Sequence, residues 1–416
     1  MAAWSSEPAR SGGNNTLNES LNIGIAGAGI GGLATAVLLA REGHRVTVFD
    51  QFETAAPVGS GLILQETGLT ILNELGLREQ AERLGAPIRR LYGLSKPSDR
   101  TVLDVKYGSL RPALMGVSIQ RPALFSLVHQ AALSAGARIV ASTRITAANP
   151  RDATLLDASG AMHGPFDLLV DALGVRSVLA SSPSRELPYG ALWATLPWPA
   201  SGGFHTDALE QRYEAASRMA GVMPSGSLSD GGQETVTYFW SIRGDQHAAW
   251  SAAPLTHWRD AALTLWPETE PLLTPVKTHT DLTFARYRHR THWPTVAGRL
   301  VHLGDSWHAA SPQLGQGANM ALLDAFALAR AIGRKADIRD ALADYARMRA
   351  GHVRLFQLMS FLFTPVYQSD SRILPLIRDW LAAPVSRIWP GPQVLAAMVS
   401  GGLGAPLWRL GLKPGR

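Results

Sequence analysis

The chain contains no cysteine, which removes disulfides, thiolate metal sites and a redox dithiol from whatever it does. Its twelve histidines form no HExxH pair or other close ligand spacing, and no GxSxG elbow occurs. Metal hydrolysis and acyl transfer are therefore unsupported, and no metal is expected. His289 and His292 fall in an arginine-rich stretch that reads as a solvated or anion-facing loop. Lys and Arg outnumber Asp and Glu by 39 to 33, a formal charge of +6, but no block of five basic residues occurs. That charge suits solubility and small anions, with no nucleic-acid partner. No stretch reaches the roughly 18 apolar residues of a membrane span. Residues 1–20 are rich in Ser, Gly and Asn, lack the apolar core of a signal peptide and read as a disordered tail, so a cytoplasmic location is expected.

What the sequence does contain is a fingerprint at its beginning. Leu21–Ala26 reads as a strand, Gly27-Ala28-Gly29-Ile30-Gly31-Gly32 as a turn, and Gly32–Glu42 as an alanine-rich helix. Gly27 permits the tight turn, Gly29 lets backbone N–H groups approach a pyrophosphate, and Gly32 lets the helix pack closely on the sheet. The next apolar run, Arg45–Phe49, ends at Asp50, where a carboxylate can accept both ribose hydroxyls of an adenosine. These positions together specify a dinucleotide site.

A second strand-to-turn signal, Arg299–Asp305, runs through Pro312, Gly315, Gln316, Gly317, Ala318 and Asn319 into the apolar helix Met320–Ile332. A nicotinamide domain has no use for a second glycine-bearing helix start so far along the chain, whereas a flavin has. Asp305 can accept from ribityl hydroxyls, and Pro312 shapes the wall beside the ring. Gly315 and Gly317 admit the isoalloxazine edge, and the helix dipole favours negative charge on the reduced ring. Because no cysteine is present, FAD is not attached through one.

At these residues, together with Arg121 in Ser118–Leu124, the chain resembles the class A flavoprotein monooxygenases, the p-hydroxybenzoate hydroxylase-like family, over about residues 21–350. The resemblance implies that Arg121 contacts FAD near its ribityl or phosphate groups and that Ile145 lies beside the adenine. The expected cofactor positions are Gly27, Ala28, Gly29, Ile30, Gly32, Asp50, Gly61, Arg121, Ile145, Asp305, Pro312, Gly315, Gln316, Gly317 and Ala318. It further implies non-covalent FAD, reduction by NAD(P)H, and transfer of one oxygen atom of O2, through a flavin C4a-hydroperoxide, to an aromatic or other electron-rich small molecule. No protein acid or base is assigned. Alternatives are an oxidase, reductase or halogenase of the same fold, although no halogenase-type lysine motif is recognisable, and a flavin-binding sensor without turnover. One departure stands out in Asp171–Ser177. Leu173 occupies the place of the family's aspartate, which is linked to FAD and donor binding. Either donor binding is weakened, or Leu173 fills an apolar gap and Arg176 or a neighbouring backbone group orders the loop.

The expected fold is α/β, a Rossmann-like FAD-binding domain with an inserted mixed-sheet substrate domain and a helical C-terminal segment. The boundaries are 21–187 and 287–354 for the FAD-binding parts, 188–286 for the insert and 355–416 for the helical end. Apart from Trp4, the tryptophans begin at Trp193, which marks the change of module. Trp193, Tyr238 and Trp240 are candidates for a flat wall over the flavin. Ala341–Arg354 reads as a charged amphipathic helix and Leu355–Val366 as an apolar one that can cap the cavity, pair two copies of a homodimer, touch a membrane peripherally or pack on the body of a monomer.

Overall fold

The structure, a computed structural model, describes residues 20–53, 59–199 and 203–414. The tail expected at 1–20 lies outside these residues except for Ser20.

β1 (Asn22–Ala26), α1 (Ile30–Arg41) and β2 (Arg45–Phe49) form the opening βαβ unit. α1 is built from alanine and leucine with both glycines of its first turn buried, which suits a helix pressed on a sheet. β3 (Gly61–Leu64) and α2 (Glu66–Glu74) follow, then the hairpin strands β4 (Arg90–Lys96) and β5 (Arg100–Lys106). β6 (Gly116–Gln120) leads into α3 (Arg121–Ser134), β7 (Arg138–Val140) and, after a small meander, β8 (Leu168–Asp171). The second half holds β9 (Arg185–Pro197), β10 (Ala208–Glu214), β11 (Arg218–Gly226), β12 (Thr235–Arg243), α4 (Leu255–Leu265), β13 (Thr283–His289) and β14 (Leu300–His302). Two long helices, α5 (Gly317–Ile332) and α6 (Ile338–Tyr367), precede a run of short helical turns.

Two sheets carry the molecule. In the first the order is Val296–Ala297, β14, β8, β1, β2, β7, and all but the edge strand Val296–Ala297 run parallel. β1 and β8 are nearly wholly buried, as central parallel strands covered by helices must be. The second sheet has the order β13, β9, β12, β11, β10, β4, β5 and is mixed, since β10 pairs with β4 in parallel and the other pairs are antiparallel. It therefore draws in residues 90–106, which precede the 188–286 expected for the insert. A three-stranded sheet of β3, β6 and Ala86–Ile88 joins the two.

α6 is one continuous 30-residue helix, although its composition changes from charged to apolar near residue 355. Asp337 caps it by accepting from the N–H groups of Arg339 and Asp340. Its buried face carries Arg349 and His352, and these are tied to α5. The Asp324 carboxylate, fully buried, accepts from Arg349 Nε at 2.6 Å and from the Gly304 N–H at 2.8 Å, and bonds His308 Nε2 at 2.6 Å. Arg349 also reaches His352 Nδ1, whose Nε2 faces the Gly401 carbonyl. Burial, then the charge of Arg349, brings the His352 imidazole down to about 2, so it is neutral and donates from Nε2. Burial alone pushes the Asp324 carboxyl up, but His308 and Arg349 outweigh it and hold the group down at about 2, against 3.8 for a free aspartate.

Because that value is depressed, the stabilisation from Asp324 is present above about pH 4 and is lost as pH falls toward 2. Asp324→Asn strands the Arg349 charge in the interior and is expected to destabilise the protein by about 3–5 kcal/mol. Denaturant midpoints recorded from pH 7 to pH 3 check both points. The variant starts lower and shows a flatter acid limb, and a wild-type-like midpoint at pH 7 contradicts the role given to the network.

Candidate active site

The parallel sheet ends in two turns that carry the sequence motifs. In the first, Gly27 has φ of +106°, and a methyl group added to it would lie 2.4 Å from the Ala172 carbonyl oxygen. A methyl on Gly32 would lie 2.1 Å from the Gly27 oxygen. The protein's own packing demands both glycines. Gly29 is different, since a methyl there meets nothing within 4 Å. Gly29 is the N-cap of α1, and no side chain caps the helix. Unpaired backbone N–H groups and the positive end of the dipole therefore face open space, which suits a phosphate.

Asp50 follows β2 and leans over this turn. Its Oδ2 accepts from the Ala28 N–H at 2.7 Å and its Oδ1 from the Phe52 N–H at 3.1 Å. Each oxygen keeps acceptor capacity beyond these bonds. Ala28 thus directs its N–H to Asp50 rather than outward, while Ile30 opens α1.

The second turn follows β14. Asp305 is exposed although the residues on both sides, 301–304 and 306–309, are all buried. Gly315 has φ of +61°, and a methyl added there finds its nearest atom, Gln65 Nε2, at 3.8 Å. At Gly317, the first residue of α5, the nearest is Asp305 Oδ1 at 4.0 Å. A second helix start therefore opens on free space beside a presented carboxylate, with Pro312 exposed next to it. Ala318 is half-buried in the first turn of α5. The Gln316 side chain turns away and donates to the Val399 carbonyl at 2.6 Å, so only its backbone faces the opening. The two turns meet because Gly31 packs against Leu303 and Ala321. These open cradles fit a dinucleotide whose diphosphate lies at one helix start and whose ring edge lies at the other.

The other expected positions are less uniform. Arg121 is exposed at the start of α3 and runs its Cδ and Nε along Gly59. Gly61 faces the second sheet, where its N–H donates to Thr237 Oγ1 and a methyl would lie 2.6 Å from Ser225 Oγ. Ile145 is buried in a cluster with Ala26, Phe49, Phe166 and Leu169, not on open space. Asn319 was not among the expected contacts, yet it pins the site. Its Oδ1 accepts from the Gln65 N–H, and its Nδ2 donates to the carbonyls of Ile63 and Gly315. The sequence signal for it was its place closing the second glycine motif.

Leu173 packs at the edge of the Ile145 cluster, and Arg176 is exposed. The loop that follows β8 is ordered instead by Asp171, two residues earlier. Asp171 Oδ1 accepts from the Leu173 N–H, while Oδ2 accepts from Ser177 Oγ at 2.6 Å and pairs with His302 Nδ1 at 2.7 Å. Arg290 and His292, read from sequence as part of a solvated loop, are both buried against this loop. Arg290 donates to the carbonyls of Ser177 and Ala180, and the His292 ring meets that of His302. Burial, then the neighbouring His302 and Arg290, lowers the His292 pKa. Arg290 misleads here because its bonds go to carbonyls that sequence does not display.

Strand alternation corrects the expected aromatic wall. Thr237 and Ser225 face β3, so the odd-numbered residues of β11 and β12 look toward the cofactor module. Tyr238 and Trp240 lie on the opposite face, buried with Trp258 and Leu265 of α4. The inward aromatics are Phe239 and Trp193, with ring centroids 5.0 Å apart. Phe239 lies over Gly221, where even a methyl would collide with its ring. The end of α6 closes this side, where Gln368 accepts from Gln313 and donates to the Gly190 carbonyl.

Residues 20–163 and 192–354 match the FAD binding domain family. The chain is 26% identical over 382 residues to a probable 2-heptyl-3-hydroxy-4(1H)-quinolone synthase of Rhodococcus erythropolis, covering 88% of this chain and 92% of that one. It is 28% identical over 376 residues to a kynurenine 3-monooxygenase of Xanthomonas campestris, covering 82% and 77%. Among solved structures, the tetrameric form of 2-methyl-3-hydroxypyridine-5-carboxylic acid oxygenase superposes with a TM-score of 0.75 at 18% identity, over 94% of this chain and 98% of that one.

Two substitutions separate cofactor binding from folding. Gly29→Trp is expected to give a colourless protein whose apo form unfolds within about 1 kcal/mol of wild type, as for a site that touches nothing. Gly32→Ala is expected to fold poorly or not at all. Full FAD retention by folded Gly29→Trp contradicts the open-cradle reading. For Asp50→Ala, FAD titration of the apo-protein is expected to show a loss of about 1.5–3 kcal/mol, the range for hydrogen bonds to a charged group.

Proposed function

Since the chain belongs to the FAD binding domain family and is a FAD-dependent monooxygenase of the class A flavoprotein type, we propose that it hydroxylates a small, planar, electron-rich aromatic, with NAD(P)H as reductant and O2 as oxygen source. The observation that carries this reading is the convergence of two uncapped, glycine-bearing helix starts on open space, with Asp50 beside one and Asp305 beside the other. FAD, when bound there, supplies the redox and oxygen-activating chemistry.

The chain's own residues bind, orient and exclude. The N–H groups at the start of α1 receive the diphosphate, and Asp50 takes the adenosine ribose. Asp305 accepts from the ribityl hydroxyls, and Pro312 with the backbone of Gly315–Ala318 lines the ring edge. The start of α5 favours negative charge at that edge through its dipole. Arg121, exposed and beside Gly59, is placed to reach the cofactor from the β3 side. Trp193, half-buried and backed by the buried Phe239, presents flat apolar surface on the substrate side, which holds an aromatic ring in place and keeps water from the reacting centre. The relatives named for a quinolone and for kynurenine support an aromatic substrate. No side chain is assigned a proton-transfer role. We place the enzyme in the cytoplasm; among the described residues no helix is long and apolar enough to cross a membrane.

The test is a screen of aromatic ligands for stimulated NAD(P)H consumption, with product mass spectrometry. A gain of one oxygen atom in the ligand supports the proposal. Consumption that yields only hydrogen peroxide with every ligand points to an oxidase, and FAD binding without consumption points to a sensor.

The Asp171 arrangement also bears on the donor question left by Leu173. With the loop already ordered by Asp171, anaerobic stopped-flow reduction by NADH or NADPH is expected to change less than about threefold in Leu173→Asp. It is expected to slow by tenfold or more in Asp171→Asn, which removes a buried charge partner of His302. A large acceleration in Leu173→Asp instead shows that the missing carboxylate limits reduction.

A further inference from the structure

Residues 374–385 form a continuous helical run after α6, and its sides are reversed relative to a soluble amphipathic helix. Ile373, Leu376, Ile377, Trp380, Leu381, Val385 and Ile388, spaced like one helical face, are 47% to 68% exposed, and Trp389 beyond them is 79% exposed. The charged pair is on the inside. Arg378 is 1% exposed and its Nε donates to Asp379 Oδ1 at 2.6 Å, while Asp379 Oδ2 accepts from Ser95 Oγ. The Arg378 guanidinium also lies 5.0 Å from the Tyr213 ring and 5.5 Å from that of Tyr367. These inward bonds fix the rotation of the run and so fix the apolar stripe outward. At roughly 100 Å² for each of the eight side chains, the stripe exceeds the roughly 300–600 Å² of the largest apolar patch on a typical monomer.

Charge selects the occupant. Arg372 and Arg387 are exposed within this stretch, and Arg100 lies 3.7 Å from the Trp380 ring. From 371 to 414 the sequence has one acidic side chain, Asp379, and it is held inside by Arg378. The exposed carboxylates at the margin of this face, Asp99 and Asp370, are already paired with Lys96 and Arg243, so a two-fold pairing of the face with itself brings arginines against arginines with no unpaired carboxylate to answer them. Anionic lipid headgroups supply the missing charge, and tryptophans beside arginines on an apolar stripe suit the bilayer interface. The structure assigns Ile373–Trp389 as a surface that lies in the interface of an anionic lipid bilayer. Binding is peripheral, and the stripe enters only the headgroup and upper acyl region.

The test uses the full-length holoenzyme and extruded vesicles of phosphatidylcholine alone or with 30% phosphatidylglycerol, read by flotation. The holoenzyme is expected to float with the anionic vesicles and to be released by high salt. Trp389→Ser combined with Ile388→Ser is expected to lower the vesicle partition coefficient at least tenfold, with FAD content and soluble NAD(P)H oxidation unchanged. Arg387→Gln, which leaves the apolar stripe intact, is expected to lower partition into anionic vesicles roughly fivefold, the effect of one basic residue near a charged surface. No flotation with either vesicle overturns the assignment. So does a dimer in light scattering that Trp389→Ser dissociates, because the occupant is then a second copy of the chain.

Discussion

Asp324 cannot be buried as an anion unless its charge is answered from several sides, and the answers come from parts of the chain that otherwise have little in common. The Gly304 N–H brings the turn that presents Asp305, His308 brings the segment behind it, and Arg349 brings α6. Through Arg349 and His352 the same charge reaches Gly401 in the C-terminal segment. Hydrophobic packing alone specifies such a junction weakly, because alternate apolar packings differ little in energy. A buried carboxylate with three directional partners does not slide, since each misplaced partner leaves an unpaired polar group in the interior. The cofactor-facing turns are thus held from behind while their front remains open.

That division between a packed rear and an open front explains what sequence could and could not say. The two glycine motifs were legible because each residue type answers a local steric demand. Gly27 is required by its positive φ, Gly32 by the Gly27 carbonyl within the same βαβ unit, and Asp50 by its place at the end of the next strand. The wall opposite was legible only at Trp193. Tyr238 and Trp240 were chosen for size, but Tyr238 and Phe239 point to opposite faces, and both faces of this sheet are covered. The alternation along Thr235–Ile242 separates two faces, but nothing in it says which of them meets the cofactor. Residues 90–106 were likewise assigned away from the second sheet, because the parallel pairing of β4 with β10 joins strands more than a hundred residues apart. The C-terminal end was read as helical and Leu355–Val366 as apolar, but the outward side of the run that follows depends on Arg378 and Ser95, which are far apart in the chain.

The segment after β8 shows a further way in which a motif misleads. Judged position by position, Leu173 is a loss of charge. Judged in space, a carboxylate is still present at Asp171, now inside the sheet and opposed by His302 on the neighbouring strand, with which it is in register. A buried carboxylate needs a partner, and β14 supplies one at the matching position. The requirement is met by a pair, so scoring either residue alone misses it.

The position of β14 has a consequence for synthesis. β8 has β1 on one side and β14 on the other, and β14 begins only at Leu300. Until that strand has left the ribosome, β8 keeps one edge unpaired and Asp171 lacks His302, while α5 and the buried Asp324 do not yet exist. The first glycine turn can form early, but the second half of the cofactor cradle cannot. Long-range parallel pairing of this kind is intrinsically slow and leaves strand edges exposed while it waits. The nascent chain therefore passes through a stage with a dinucleotide turn and no complete flavin site. Cofactor capture becomes a late event that locks a nearly finished chain.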